Sequence, residues 1–309
     1  MKSAILDLGT NTFHLLIVET NLDSVPKILF KTKMVVKLGK NGINEGNINP
    51  ESFKRGIDAI KELKKHIISN EVASIYGFAT SAIRSASNGQ EFIDAIKEQT
   101  QIDIEIISGK KEAEFIYQGV KQAISLSASP VLIMDIGGGS VEFIVANQKE
   151  IFWKQSFNIG AARLKETFHT SEPIKQIEQE KLKTDLKKKL HSLIEAVNKF
   201  NPTILIGASG TFDTFVKILF YQGIVKNIID NQTEFEVDIA KLKLLHYKLL
   251  KSNLKQRLKI KGMAAFRADM IVVASILTQF VIDEFNFKEL KVSGYALKEG
   301  AIAQLAAIN

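Results

Sequence analysis

One phrase occurs twice in this sequence. Near the start it reads AILDLGTNTFHLLIVE, and far downstream it reads VLIMDIGGGSVEFIVA. Each copy is an apolar run, an aspartate, a glycine-containing turn and a second β-rich run. The aspartates are Asp7 and Asp135, so the offset is 135 − 7 = 128 residues. In a chain of 309 residues, which fits about two domains, that spacing points to a duplicated domain rather than a short-period solenoid.

The surroundings repeat as well. Short β-branched runs predict strands over Ser3–Leu8, Phe13–Glu19 and Lys27–Val36, followed by an amphipathic helix over Pro50–Ser69. Strand Ala73–Ala79, helix Gln90–Gln99, strand Asp103–Ile107 and helix Lys111–Ile124 come next. The pattern restarts with strands Val131–Asp135, Ser140–Ala146 and Glu150–Phe157, then a long charged helix over Ile174–Phe200. Strand Thr203–Gly207, helix Thr211–Phe220, further helices, strand Glu289–Ser293 and helix Ala296–Ala307 complete it. Three strands and then alternating helix and strand, twice over, describe a duplicated α/β fold. Turn residues in Leu126–Pro130 place the boundary there, giving domains 1–125 and 126–309. The last helix, 297–309, is free in this reading to pack back on the first domain.

Composition removes several chemistries. There are no cysteines, so disulfides, thiolate zinc sites and cysteine nucleophiles are excluded. Asp7 interrupts the N-terminal apolar stretch, unlike a signal peptide. The most apolar segment, Met270–Ile282, is shorter than the ~20 residues of a membrane span and reads as a buried helix. The net charge of +7 favours a polyanionic partner without choosing among nucleic acid, nucleotide and phosphate polymer.

The repeated turns suit anions. Glycine lets the backbone approach a ligand closely, and successive N–H groups in such a turn form a concave anion site. Gly137, Gly138, Gly139 and Ser140 supply one turn; Gly9, Thr10, Asn11 and Thr12 supply the other. Asp7 and Asp135 end their strands and can aim a hard oxygen at Mg²⁺, directly or through water. A third loop, Gly207-Ala208-Ser209-Gly210-Thr211, joins a strand to a helix N-terminus, another anion-binding element. Each loop alone also fits an ordinary turn or helix cap. Two matched copies in repeated halves, with the third loop beside them, favour phosphate, clamped from both sides of an inter-domain cleft.

DLGTNTFHLL, DIGGGSVEF and GASGTF together resemble the actin, sugar-kinase and heat-shock ATPase superfamily. With ATSAIRSASNG, IEIISGKKEAEFIYQGV and VSGYALKEG, the chain resembles the exopolyphosphatase/guanosine pentaphosphate phosphohydrolase family over nearly its whole length. The resemblance implies two duplicated ribonuclease-H-like (actin-like ATPase) domains and hydrolysis of terminal phosphoanhydrides of polyphosphate, pppGpp or both. It also implies Mg²⁺ as cofactor and a cytoplasmic setting, with no specific nucleic-acid partner, no membrane partner, and room for a homodimer.

Carried over by position, the family's catalytic glutamate falls on Glu112, as base toward water. Its acidic pair falls on Asp135 and Glu142, with Asp7 as a further metal-side carboxylate, and its phosphate-binding arginine falls on Arg84. Each has a plainer reading. Glu112 can complement a helix dipole, Glu142 can face solvent, and Arg84 can be a surface arginine. His14, in the first motif, reads as core packing or a structural hydrogen bond. Lys110 and Lys111 stand where members often have an acidic neighbour, and two lysines can lower the base's pKa or touch the substrate. Lys298 replaces an arginine and cannot give its planar fork. From Ile239 to Gly262 there are eight basic and no acidic residues. That stripe reads first as the solvated face of amphipathic helices whose apolar side is Leu242, Leu245 and Leu249, and second as a polyanion track. The rival functions are a small-molecule kinase of the same superfamily and a non-catalytic sensor of pppGpp or polyphosphate.

Overall fold

The computed structural model of this chain describes residues 1–20, 26–225 and 232–306. It divides into two units: Met1–Gln118 with Leu297–Asn309, and Gly119–Ala296. The division thus falls before the turn-rich segment expected to mark it. Gly119 shows why: a Cβ there would stand 2.0 Å from the Ala296 carbonyl oxygen, so this turn of helix is already wedged into the second unit.

The first unit runs β1 (Lys2–Leu8), β2 (Thr12–Glu19), β3 (Lys27–Val35), α1 (Pro50–Ser69), β4 (Ser74–Ala79), α2 (Ser81–Arg84), α3 (Gly89–Thr100), β5 (Ile104–Ile106) and the start of α4 (Gly109–Ala123). Its sheet order is β3-β2-β1-β4-β5. The β1–β2 and β2–β3 pairs are antiparallel; the β1–β4 and β4–β5 pairs are parallel. Alternation decides which side chains enter the core. Ala4, Leu6 and Leu8 of β1 and Phe13, Leu15 and Ile17 of β2 pack with Ile60 and Leu63 of α1 and Phe92 of α3. Asp7 and His14 therefore lie on the opposite face, and they are directly paired across the hairpin. Helix α1 starts where Asn49 accepts the Ser52 amide at 2.9 Å and Pro50 presets the first turn.

The second unit runs β6 (Val131–Ile136), β7 (Val141–Ala146), β8 (Ile151–Phe157), α5 (Ala161–Phe168), α6 (Gln176–Lys189), α7 (His191–Phe200), β9 (Ile204–Ala208), α8 (Ser209–Tyr221), β10 (Glu234–Val237), α9 (Ile239–Leu250), α10 (Leu254–Leu258), α11 (Ile271–Phe285) and β11 (Glu289–Ser293). The order is β10-β11-β9-β6-β7-β8. Without the antiparallel edge strand β10, it matches the first sheet strand for strand. The expected duplicated α/β architecture is therefore present in both units. Helix α12 (Leu297–Ala306) packs against β1 and belongs to the first unit.

Three expectations need correction. The charged helix over Ile174–Phe200 is two helices, α6 and α7, broken at Leu190, whose ψ of 18° leaves the helical range. The bend keeps Leu186, Leu190 and Leu193 all in the core. Helix α5, eight residues, and strand β10, four residues, are too short to stand out in the sequence. In the basic stripe, Leu242, Leu245 and Leu249 are buried as expected, but Arg257 is wholly buried rather than part of a solvated face. Its guanidinium forks onto Glu172 at 2.9 and 2.6 Å and also reaches the Ser252 and Ala268 carbonyls. Helix α11 is buried nearly all round, and among the described residues no helix is long and apolar enough to cross a membrane.

Candidate functional site

The 128-residue offset holds at the level of single hydrogen bonds. The Gly9 amide donates to the Thr12 carbonyl at 3.1 Å, and the Gly137 amide donates to the Ser140 carbonyl at 3.0 Å. Asp7 pairs with His14 across β1–β2, and Asp135 pairs with Glu142 across β6–β7. The Thr10 and Asn11 carbonyls accept amides from the segment after β3, namely Gly39, Val36 and Lys37. The Gly138 and Gly139 carbonyls accept amides from the segment after β8, namely Ala162 and Gly160.

That pattern fixes where the loop amides point. In a planar trans peptide, the N–H following a carbonyl points the opposite way. With the carbonyls of Gly137, Gly138 and Gly139 turned onto residues 160–162, the amides of Gly138, Gly139 and Ser140 face away from α5. In the first unit the amides of Asn11 and Thr12 are turned likewise. Rows of N–H groups of this kind hold anions. The glycines serve packing too, since a Cβ on Gly160 would stand 2.4 Å from the Gly138 backbone.

Asp135 and Glu142 are both buried and share the face of the sheet opposite the main core, because their neighbours Met134 and Phe143 point into that core. Glu142 is not a solvent-facing residue: Ser156 of β8, its cross-strand neighbour, donates to Oε1 at 2.6 Å. Ser209 donates to Asp135 Oδ2 at 2.5 Å and does so from a left-handed backbone, φ 66°, at the first residue of α8. A serine there carries strain of order 1–3 kcal/mol, which an ordinary helix cap would not need. Thr211 is turned inward, 3.5 Å from the Ile136 carbonyl. Gly207 lies within β9, where its missing side chain makes room for the Phe212 ring.

Sequence reasoning missed Arg267. It sits in a one-turn helix, Ala265–Arg267, ahead of α11. A Cβ on Gly210 would stand 1.8 Å from its Nη2, so the guanidinium lies directly over the third loop. Burial pulls its pKa down, while Asp213 and Asp135 oppose that shift and hold the positive charge in place. The only sequence signal was an arginine just before the most apolar helix of the chain.

In the first unit, Glu112 opens α4 and is buried. Arg84, at the end of α2, donates Nη1 to Glu112 Oε2 at 2.8 Å and to the Ile107 carbonyl at 3.0 Å. Burial pushes the Glu112 carboxyl up from its ordinary range, and the charge and hydrogen bond of Arg84 oppose the shift. The lysines expected to lower it do not act on it. Lys110 is exposed, and Lys111 lies 4.7 Å over the Phe115 ring and 4.0 Å from Glu114. Thr12 bonds His14 Nε2 at 2.9 Å, giving that histidine the structural hydrogen bond anticipated for it. Lys298 lies 3.1 Å from Glu299, a buried acid in the first turn of α12.

The donor chemistry of the second unit fits Mg²⁺. Asp135 and Glu142 stand opposite one another on one face, and like charges so placed repel. Both present hard oxygens. Among the described residues there is no cluster of three or more His, Cys, Asp or Glu side chains suited to a metal. Mg²⁺ commonly uses one or two carboxylates and completes its shell with water and phosphate.

A model of the Ppx/GppA phosphatase family matches residues 16–307. The crystal structure of an exopolyphosphatase from Cytophaga hutchinsonii superposes with a TM-score of 0.96 at 39% identity, covering 99% of this chain and 98% of that one. Exopolyphosphatase 1 of Mycobacterium tuberculosis is 24% identical over 98% of this chain and 87% of its own length. The Aquifex aeolicus PPX-GPPA enzyme, at 23% identity and a TM-score of 0.80 over 98% of this chain and 99% of that one, shares the fold.

Proposed function

Because the chain belongs to the Ppx/GppA phosphatase family, we propose that it removes the terminal phosphate of inorganic polyphosphate by hydrolysis. The observation that carries the mechanism is Glu112, a buried carboxylate held by Arg84 and raised in pKa, as a general base working near neutral pH requires. Water attacks the terminal phosphorus and passes its proton to Glu112. The bond to the bridging oxygen breaks, and that oxygen keeps the electron pair as the new chain end. Inorganic phosphate leaves.

The remaining roles are positioning and charge stabilisation. The amides of Gly138, Gly139 and Ser140 and the guanidinium of Arg267 are suited to phosphoryl oxygens in the second unit; Ser209 and Gly210 shape that end. The amides of Asn11 and Thr12 and Arg84 are suited to them in the first. Asp135 and Glu142 would hold Mg²⁺, with Asp7 in the same role in the first unit. The ion supplies neutralisation of the charge on the phosphates. Guanosine pentaphosphate ends in the same kind of anhydride and is the second substrate to try.

The test is phosphate release from long polyphosphate and from pppGpp, side by side, with and without Mg²⁺, for the wild type and Glu112→Gln. The substitution should cut turnover at least ~10²-fold while substrate binding and Tm stay near wild type. Near-normal turnover would remove Glu112 from the mechanism. Binding without release would favour a sensor, and ATP turnover that waits for an acceptor would favour a kinase.

A further inference from the structure

The net charge of this protein is concentrated in one place. The chain has 41 basic and 34 acidic residues, and eight of the basic ones lie in Ile239–Gly262 with no acid among them. Setting those aside leaves 33 basic against 34 acidic, so the rest of the chain is balanced. One of the eight, Arg257, is buried on Glu172. The other seven are lysines, and all are exposed.

The same segment also exposes apolar surface. Of eleven large hydrophobic side chains exposed among the described residues, four fall in these 24 positions: Leu244 (63%), Tyr247 (49%), Leu258 (48%) and Leu254 (37%). At 100° per residue, Leu244 and Tyr247 lie on the side of α9 opposite its buried Leu242, Leu245 and Leu249. Lys251 lies between them, and Lys243 and Lys248 flank them. The outer face of α9 is thus a short apolar strip bordered by lysines, and the following α10 exposes Leu254, Lys255 and Leu258.

We propose that this lysine-bordered face of α9 docks the protein on an anionic lipid surface. Charge complementarity selects a polyanion, and the exposed leucines select among polyanions. Free polyphosphate offers them nothing apolar. Single-stranded nucleic acid stacks on aromatic rings, of which this face has one, Tyr247. A second copy in a two-fold contact would set lysines against lysines. A bilayer carrying acidic headgroups matches both halves: lysines reach the phosphates while leucine and tyrosine enter the acyl boundary. The inference departs from the sequence expectation of no membrane partner and does not rest on the hydrolase reading.

The experiment is co-sedimentation of the full chain with phosphatidylcholine vesicles, with and without phosphatidylglycerol, at low and physiological salt. Binding should require phosphatidylglycerol and weaken with salt. The triple substitution Lys243→Glu, Lys248→Glu, Lys251→Glu should reduce partitioning about a hundredfold or more. The pair Leu244→Ser, Tyr247→Ser should reduce it about tenfold. Both variants should keep the wild-type Tm and the turnover of soluble polyphosphate, since none of these residues belongs to the candidate site. No binding dependent on phosphatidylglycerol would overturn the proposal. Unchanged vesicle binding by the Leu244/Tyr247 variant would overturn it too, as would tight capture of free polyphosphate or single-stranded DNA by a protein that ignores vesicles.

Discussion

Glu112 shows how one side chain can be tuned from two directions. Burial favours its neutral form and Arg84 favours the ionised form; burial prevails. A base must be ionised to work, so kcat/KM should rise with pH along a limb lying above the ordinary carboxylate range. Arg84→Met removes the opposing charge, and the limb should move to still higher pH. A pH profile of kcat/KM checks this, and a limb that stays put or moves down would refute the assignment. Gly210 offers a second residue-scale test. The atom a new Cβ would strike is the far end of Arg267, a flexible side chain, rather than backbone. Gly210→Ala should therefore swing Arg267 aside and raise KM for polyphosphate about tenfold or more, at a stability cost of about 1–3 kcal/mol, read by thermal melting. The aspartates, the glycine turns and Glu112 were legible in the sequence because each sits in a local strand–turn or helix-start pattern. Arg267 was not, because its place over Gly210 comes from the turn before α11 lying against the start of α8, which no short-range pattern records.

Among the elements, the Arg257–Glu172 fork ties α10 to the loop after α5 and, through the Ala268 carbonyl, to the turn that carries Arg267. Arg257 is wholly buried but Glu172 is exposed, so losing the arginine leaves a cavity and takes the donor from the Ser252 and Ala268 carbonyls. Arg257→Ala should cost about 2–5 kcal/mol in chemical denaturation. The double replacement Arg257→Met, Glu172→Leu should recover most of that loss. If the fork also sets the turn, the double variant will still turn over polyphosphate more slowly than the wild type despite its recovered stability. Sequence periodicity read Arg257 as one more basic residue of a solvated stripe. It sits where an amphipathic helix would show its polar side, and only the positions of Glu172, Ser252 and Ala268 turn that side inward. The same limit explains the break at Leu190: a run rich in lysine with leucines at helical spacing reads as one helix, whereas the core accepts its leucines only after a bend.

At the scale of the whole molecule, each unit carries one copy of the five-strand order, and the two hairpin turns share the hydrogen bond that closes them. The duplication was legible because it rests on local periodicity. The exact division was not, because it depends on contacts such as that of Gly119 with Ala296. Helix α12 makes the first unit discontinuous in sequence. Its Leu297, Ala301 and Ile302 are buried, and it packs against β1. A chain ending at Ala296 should lose hydrogen-exchange protection in β1 and β2 while β6 and β9 keep theirs. Equal loss in both units would show that α12 supports more than its own unit.

The discontinuity also sets an order of events during synthesis. β1 is synthesised before Gly119–Ala296 and α12 after it. At ~5–20 residues per second, the nascent first unit waits on the order of ten seconds or more without the helix that packs on its first strand. The second unit is by then fully synthesised, so of the two units the one begun earlier is the one completed later.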